Sequence, residues 1–238
     1  MSKKTSAKKS AAPAPGQGKT LVIAEKPSVA SDLAKVLKVP KRGEVFEDDR
    51  WVISSAVGHL VELREPHELN PEWRGWTLKS LPILPPQFDG ALRKDILRCR
   101  EERGSAERFH LLKKLLQRDD VADVVNACDA GREGELIFHM ICTLAGSRLP
   151  ERRLWLTSMT PAAIRDSFDH LLDPSEKAGL RASSICRSQS DWMVGLNMTR
   201  CATKMLGGAR ISKESVHPVG RVQTPTLMLI VRREMEIR

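Results

Sequence analysis

Hydrophobic positions follow two rhythms along this chain. Residues 20–24 (TLVIA) form a short apolar, β-branched run, which predicts a buried strand. After Glu25-Lys26 the spacing becomes helical, with Pro27 at an early helical position and Val29, Leu33, Val36 and Leu37 on one face. Residues 44–56 offer two short strands around Asp48-Asp49, a hairpin pattern. Residues 69–89 are rich in Pro and Trp and read as an irregular excursion packed by its own side chains. Helical spacing resumes over 91–117, where Leu111, Leu112, Leu115 and Leu116 make an apolar stripe. Residues 121–127 (VADVVNA) are a second buried strand, 132–144 a helix and 153–156 a last strand. Strands alternating with helices predict an α/β fold with a mostly parallel sheet flanked by helices.

Beyond Thr157 the pattern is helical only, which places a boundary near 156–160 and predicts a mainly α-helical partial domain after it. Thr160-Pro161 is a cap followed by an N1 proline, and Ile164, Phe168, Leu171 and Leu172 give that helix its buried side. A longer helix is expected over 175–206. Thr224-Pro225 repeats the start signal for a final helix that is still running at Arg238. The expected organisation is a tail over 1–18, an α/β domain over 19–157 and a helical part over 158–238.

Composition adds a partner class. Lys+Arg 39 against Asp+Glu 30 leaves a formal charge of +9, and residues 1–18, with no aliphatic side chain larger than alanine after the initiator, read as a disordered basic tail. The excess of base suits a phosphate-rich partner. A hydrophobic fraction of 41% with 29% charged residues excludes collagen-like and wholly disordered classes. No apolar run reaches the roughly 20 residues of a membrane span. The five cysteines, without a C-x-x-C pair, are expected as reduced thiols in a cytosol.

Candidate chemistry sits where parallel strands end. Glu25 closes the first strand and Asp129-Ala130-Gly131-Arg132-Glu133-Gly134-Glu135 closes the later one; in open α/β sheets, ligands lie outside the carboxyl ends of the strands. If those strands are neighbours, Glu25, Asp129 and Glu133 converge on one crevice. Crowded carboxylates repel unless a cation joins them, and hard oxygen donors with few histidines favour Mg²⁺. The same acids would also serve as ordinary caps of a helix start.

AEKPSVA after the first strand and CDAGREGELI after the later one together resemble the Toprim domain of type IA DNA topoisomerases. The resemblance continues through SAVGHLVEL, LPILP, LTSMTPAAI, SDWMVGLNMTR and VGRVQTPTL, in the order of a bacterial topoisomerase III, so that residues 19–238 are similar to its amino-terminal half. It implies a Toprim Rossmann-like sheet, and Mg²⁺ held by Glu25, Asp129 and Glu133. Glu25 would serve the leaving 3′ oxygen, and Lys26 would stabilise charge on the scissile phosphate. Arg132 would hold a phosphate or anchor the carboxylates. The family motif D-x-D-x-E departs here, with Gly131 in place of the middle acid. The resemblance further implies DNA contacts, with single strands preferred, by His59, Arg187, Asp191, Arg200 and the segment Pro218, Val219, Gly220, Arg221, Val222 and Gln223. Pro218 stands where the family usually has serine.

Type IA enzymes cut one strand with a tyrosine hydroxyl, need no ATP, and act on DNA in the cytoplasm, at the bacterial nucleoid. This chain contains no tyrosine, and its serines and cysteines lack a histidine partner in any readable motif. The expectation is a topoisomerase III-like chain that is inactive alone. The alternatives are a non-catalytic single-stranded DNA-binding remnant and a metal-dependent Toprim nuclease.

Overall fold

The computed structural model describes residues 18–206 and 216–238. The expected tail over 1–18 lies outside the described residues except for Gly18. The described residues divide into two compact units, one within 18–62 and 92–184 and the other within 63–91, 185–206 and 216–238. The division therefore differs from a single cut at 157: residues 161–184 pack with the first unit, and 63–91 belong to the second.

In the first unit, strand β1 (Lys19–Ala24) leads into helix α1 (Pro27–Leu37). The hairpin strands β2 (Lys41–Arg42) and β3 (Val45–Glu47) follow, and then β4 (Trp51–Ser55). Asp48 closes the β3–β4 turn as expected, its Oδ1 accepting from the Arg50 and Trp51 amides at 2.8 and 2.7 Å. A two-stranded ribbon pairs β5 (Val61–Leu63) with β6 (Leu97–Cys99). Helix α3 (Ser105–Leu116), strand β7 (Val121–Ala127), helix α4 (Arg132–Ala145), strand β8 (Glu151–Arg153) and helix α5 (Pro161–Asp169) complete the layers. α2 (Pro66–Leu69), α6 (Ala178–Leu206) and α7 (Gln223–Ile237) are the remaining helices among the described residues.

The main sheet runs β2-β3-β4-β1-β7-β8. β4, β1, β7 and β8 are mutually parallel and the hairpin adds two antiparallel strands at one edge, so the expected mostly parallel sheet flanked by helices is found. Alternate residues of each strand point to opposite faces. Val22, Ala24, Trp51, Ile53, Val125 and Ala127 meet Leu33 of α1 and Ile164 and Phe168 of α5 on one face. α3 and α4 pack on each other and on β7, burying Phe109, Leu112, Leu116, Ile137, Phe138 and Ile141.

Three expected elements are shorter or displaced. The helix expected over 91–117 begins only at Ser105, because Gly104 at φ +86° breaks the chain direction and 97–99 are drawn into the ribbon with β5. The last strand lies at 151–153, where its register with β7 ends at Asn126↔Arg153. α7 starts at Gln223 and not at Thr224-Pro225, since Thr224 Oγ1 accepts from the Gly220 amide at 3.1 Å and ties down the segment before the helix.

In the second unit the excursion 69–89 is held by its own side chains, with Asn70 Oδ1 accepting from the Glu72 amide and Thr77 Oγ1 from the Ser80 amide, and also by polar residues of α6. Asn197 mimics a strand, accepting from the Ile83 amide at 2.6 Å and donating to the Ile83 carbonyl at 2.8 Å. Gln189 does the same at Gly90 and Ala91, and the Trp192 indole donates to the Arg64 carbonyl at 3.1 Å. An irregular segment can be buried only if its backbone groups find such partners.

Candidate functional site

The register Ala24↔Ala127 sets the ends of β1 and β7 side by side and so delivers Glu25 next to Asp129. Lys26 Nζ lies between them, 2.8 Å from Asp129 Oδ2 and 3.9 Å from Glu25 Oε1. The hydrogen bond to Asp129, reinforced by both negative charges, pushes the Lys26 ammonium above the ordinary lysine range. Glu25 is the buried member: its side chain is 13% exposed and its Oε2 has no hydrogen-bond partner. β4 contributes the third end. The amides of Val57 and Gly58 donate to the Glu25 carbonyl at 2.8 and 3.1 Å. To do so Val57 adopts φ +71°, a costly conformation for a β-branched residue. That turn carries His59, whose Nε2 is 2.7 Å from Glu133 Oε1.

At these strand ends the three acids are divided between a lysine and a histidine. Glu25 and Asp129 share Lys26, while Glu133, more than half exposed, is turned to His59. Among the described residues no three acid, histidine or cysteine side chains are grouped as a ready metal site. Hard carboxylate oxygens, one of them buried and orphaned on Glu25, nevertheless suit a divalent cation in kind. Gly131, in place of the middle acid, is extended backbone that any residue adopts. Gly134 is the position where only glycine fits: a Cβ there would collide with the Asp129 carbonyl oxygen and come within 2.9 Å of its nitrogen. Arg132 opens α4 as an exposed side chain without a polar partner among the described residues.

One residue that the sequence reading did not single out, Arg153, holds this edge from behind. Arg153 is 2% exposed, the largest fully buried side chain among the described residues. Its Nε donates to Glu135 Oε1 at 2.6 Å, Nη1 to the carbonyls of Asn126, Cys128 and Leu154 at 3.0, 2.7 and 3.0 Å, and Nη2 to the Asp129 carbonyl at 2.8 Å. One guanidinium thus pins the backbone that presents Asp129. Burial alone would raise the Glu135 carboxyl, but His139 and Arg153 outweigh it and hold it below the ordinary range. The signal was present as an arginine in a strand opposite an inward Asn126, two polar residues sharing one register position. No cysteine substitutes as a nucleophile here, since burial pushes the Cys128 and Cys142 thiols far up.

The remaining expected contacts lie in the second unit. Asp191 accepts from Arg221 Nε at 2.9 Å and from Nη2 at 3.2 Å, and Arg187 Nε stands 3.8 Å from the same carboxylate. Val219 is laced to α6 by the Thr199 hydroxyl, which accepts from its amide at 2.9 Å. Pro218, Gly220, Val222 and Gln223 belong to the same partly exposed turn before and into α7. Arg200 is placed differently from a residue that meets DNA. It is 4% exposed, donates to the Trp73 carbonyl at 2.8 Å and stacks on the Trp76 ring at 5.3 Å, because the irregular loop needs a donor there. Beside it a cavity of about 350 Å³ is lined by Trp76, Trp192, Asp191 and Thr199. Trp51 is core; Trp155 lies between Arg153 and Lys177.

Residues 20–159 match the family model of the Toprim domain, and residues 175–238 match that of DNA topoisomerase. Curated proteins named DNA topoisomerase 3 from Bacillus licheniformis and Bacillus subtilis are 41% and 40% identical over 221 residues, 92% of this chain. The chain spans only 28% of the length of each. Full-length topoisomerase I from Thermotoga maritima is similar in fold, with a TM-score of 0.56 and 20% identity over 91% of this chain and 30% of that one. The strand-end motifs, the sheet order and these matches agree that the chain belongs to the Toprim-domain family, among its type IA, topoisomerase III-like DNA topoisomerases.

Proposed function

We propose that this chain binds single-stranded DNA and presents Glu25, Lys26, Asp129, Arg132 and Glu133 to the phosphodiester that a type IA topoisomerase breaks and rejoins. Residues 19–157 act as its Toprim domain and 158–238 as the beginning of its helical domain. The observation that carries this reading is the Lys26 ammonium held between Glu25 and Asp129 at the carboxyl edge of adjacent parallel strands. A cation fixed there before substrate arrives costs no reorganisation when charge develops on a phosphate. Glu25, whose Oε2 has no hydrogen-bond partner, would either hand a proton to a departing 3′ oxygen and take it back on rejoining or, as a carboxylate, serve as a metal ligand. Mg²⁺ would be held by Glu25, Asp129 and Glu133 and would supply further neutralisation of phosphate charge. Arg132 is free to take a phosphate oxygen.

The indole-lined cavity beside Asp191 supports a single strand, because a base can stack on Trp76 or Trp192 without regard to sequence. His59, Arg187 and the turn 218–223 complete the proposed DNA contacts, with Asp191 holding Arg187 and Arg221 in the absence of DNA and Arg200 shaping the loop that carries Trp76. The chain has no tyrosine, so the phosphotyrosyl link requires a hydroxyl that these 238 residues do not supply. No ATP is needed, since the broken bond's energy is conserved in such a link. Among the described residues no helix is long and apolar enough to cross a membrane, and the proposed location is the bacterial cytoplasm at the nucleoid.

Supercoiled plasmid and Mg²⁺ test the reading. The chain is expected to shift single-stranded DNA in a gel and to leave the plasmid supercoiled. Relaxation would refute the tyrosine argument, and nicked or linear plasmid would favour a nuclease.

A further inference from the structure

A second cavity, of about 280 Å³, opens in the first unit beside the carboxylate edge. It exists because the hairpin stops short: β3 pairs with β4 at Phe46↔Ile53 and Glu47↔Val52, leaving the β3 side of Ser54 and Ser55 uncovered. Arg108 of α3 fills part of the gap. Its Nε donates to the Ser55 carbonyl at 2.6 Å and its Nη2 to Ser54 Oγ and Ser55 Oγ at 2.9 and 3.2 Å. Nη1 has no partner among the described residues, and it is not sealed from solvent.

The polar inventory of the cavity is lopsided. Ser54 and Ser55 are each 2% exposed, and each hydroxyl accepts from Arg108 while its own proton has no acceptor among the described residues. A hydroxyl carries one donor besides its lone pairs, and a buried donor left unmade is costly. Ser31 and Lys41 add two more donors without partners, against the single acid Glu44. Burial depresses the Arg108 guanidinium below the usual arginine range and Glu44 offsets this only in part, so the cavity holds an under-compensated cation. Donors in excess around a half-buried guanidinium describe an anion site, and the pairing of a fork of N–H groups with hydroxyls matches the oxygens of a phosphoryl group.

Its position says which phosphoryl group. Pro27, the residue after Lys26, and Val57, whose amide holds the Glu25 carbonyl, both line the cavity. We propose that Arg108, Lys41, Ser54 and Ser55 form a phosphate subsite that grips a backbone phosphodiester of the DNA strand next to the one facing Lys26. The inference rests on the DNA-binding reading above and extends it to a contact outside the motifs that identify the family.

The test is a titration of the whole chain with dye-labelled oligothymidylate at a series of KCl concentrations. Lys41→Gln, at an exposed position, and Arg108→Gln are each expected to weaken binding several-fold and to lower the log–log salt slope by about 0.7, the loss of one phosphate contact. Lys114→Gln, on the exposed side of α3, should change neither. A neutral methylphosphonate placed at successive linkages should, at one linkage, weaken the wild type as much as Lys41→Gln does and leave that variant no weaker. Wild-type binding with unchanged variants would overturn the subsite alone, whereas wild type that binds no DNA would overturn the functional reading itself. Should the variants lose inorganic phosphate, measured by competition, yet keep the wild-type DNA slope, the site takes a free anion and the DNA assignment is wrong.

Discussion

Arg153→Met is the sharpest test of how the catalytic edge is supported. The substitution keeps much of the side-chain volume and removes the guanidinium, so Glu135, whose side chain is 4% exposed, loses the cation 2.6 Å away. The carbonyls of Asn126, Cys128, Leu154 and Asp129 lose donors at the same time. Removing one partner of a buried ion pair leaves an uncompensated charge and costs about 3–5 kcal/mol. Against a total stability of roughly 5–15 kcal/mol this is a large fraction, and it corresponds to a melting temperature lower by roughly 6–20 °C in a protein of this size. Urea unfolding followed by circular dichroism measures it, with the slope m reporting whether the unfolded state has changed. Glu135→Gln is expected to cost less, because Arg153 retains four carbonyl acceptors. In the double variant Arg153→Met/Glu135→Leu part of the loss should return, since both charges are gone. A loss below about 1 kcal/mol for Arg153→Met, at unchanged m, would show that the buried guanidinium does not hold the β7 end together.

Other perturbations address separate parts of the molecule. Gly134→Ala forces α4 away from the Asp129 backbone; an overpacking cost of about 1–3 kcal/mol in urea unfolding is expected, and unchanged stability would refute the close approach. Glu47 is hydrogen-bonded by Arg118 and Lys19, which hold its carboxyl down to about 2 against burial. A folded value below the unfolded one means stability that is present above about pH 4.5 and lost as pH falls towards 2, worth roughly 3 kcal/mol at most, so Glu47→Gln should flatten acid unfolding in that window. Asp191→Ala releases Arg221 and Arg187 from a shared carboxylate. Single-stranded DNA binding should then become tighter at low salt and steeper in salt by about 0.7 per freed contact; weaker binding would mean that Asp191 orients the arginines and does not merely neutralise them.

Much of the sheet and of the site was legible locally. Runs rich in apolar residues at 20–24 and 121–127 marked the two central strands to within a residue, because a strand buried on both faces is mostly apolar even where Asp123 and Asn126 interrupt it. The acids closing those strands were visible for the same reason, as charge appearing where burial ends. The 91–104 segment was misread because a few apolar residues at helical spacing say nothing about Gly104 or about a ribbon partner far away in sequence. Arg153 went unremarked because a basic residue in a short strand carries no mark of burial; its acceptors are carbonyls, which every residue has.

The amino-acid sequence by itself determined the order of elements, the chemistry available at the strand ends and the family to which the motifs belong, all of which rest on nearest neighbours and short spacings. Only the tertiary structure decided which partner each charge received: Lys26 between Glu25 and Asp129, Glu133 on His59, Arg221 on Asp191, and Arg108 in the gap left by a short hairpin. The β1, β4, β7 order and its register bring together groups far apart in sequence, 103 residues in the Lys26–Asp129 pair. Coulomb attraction and hydrogen bonding act over a few ångströms of space, so the pairing follows the packed backbone and leaves no trace in local sequence.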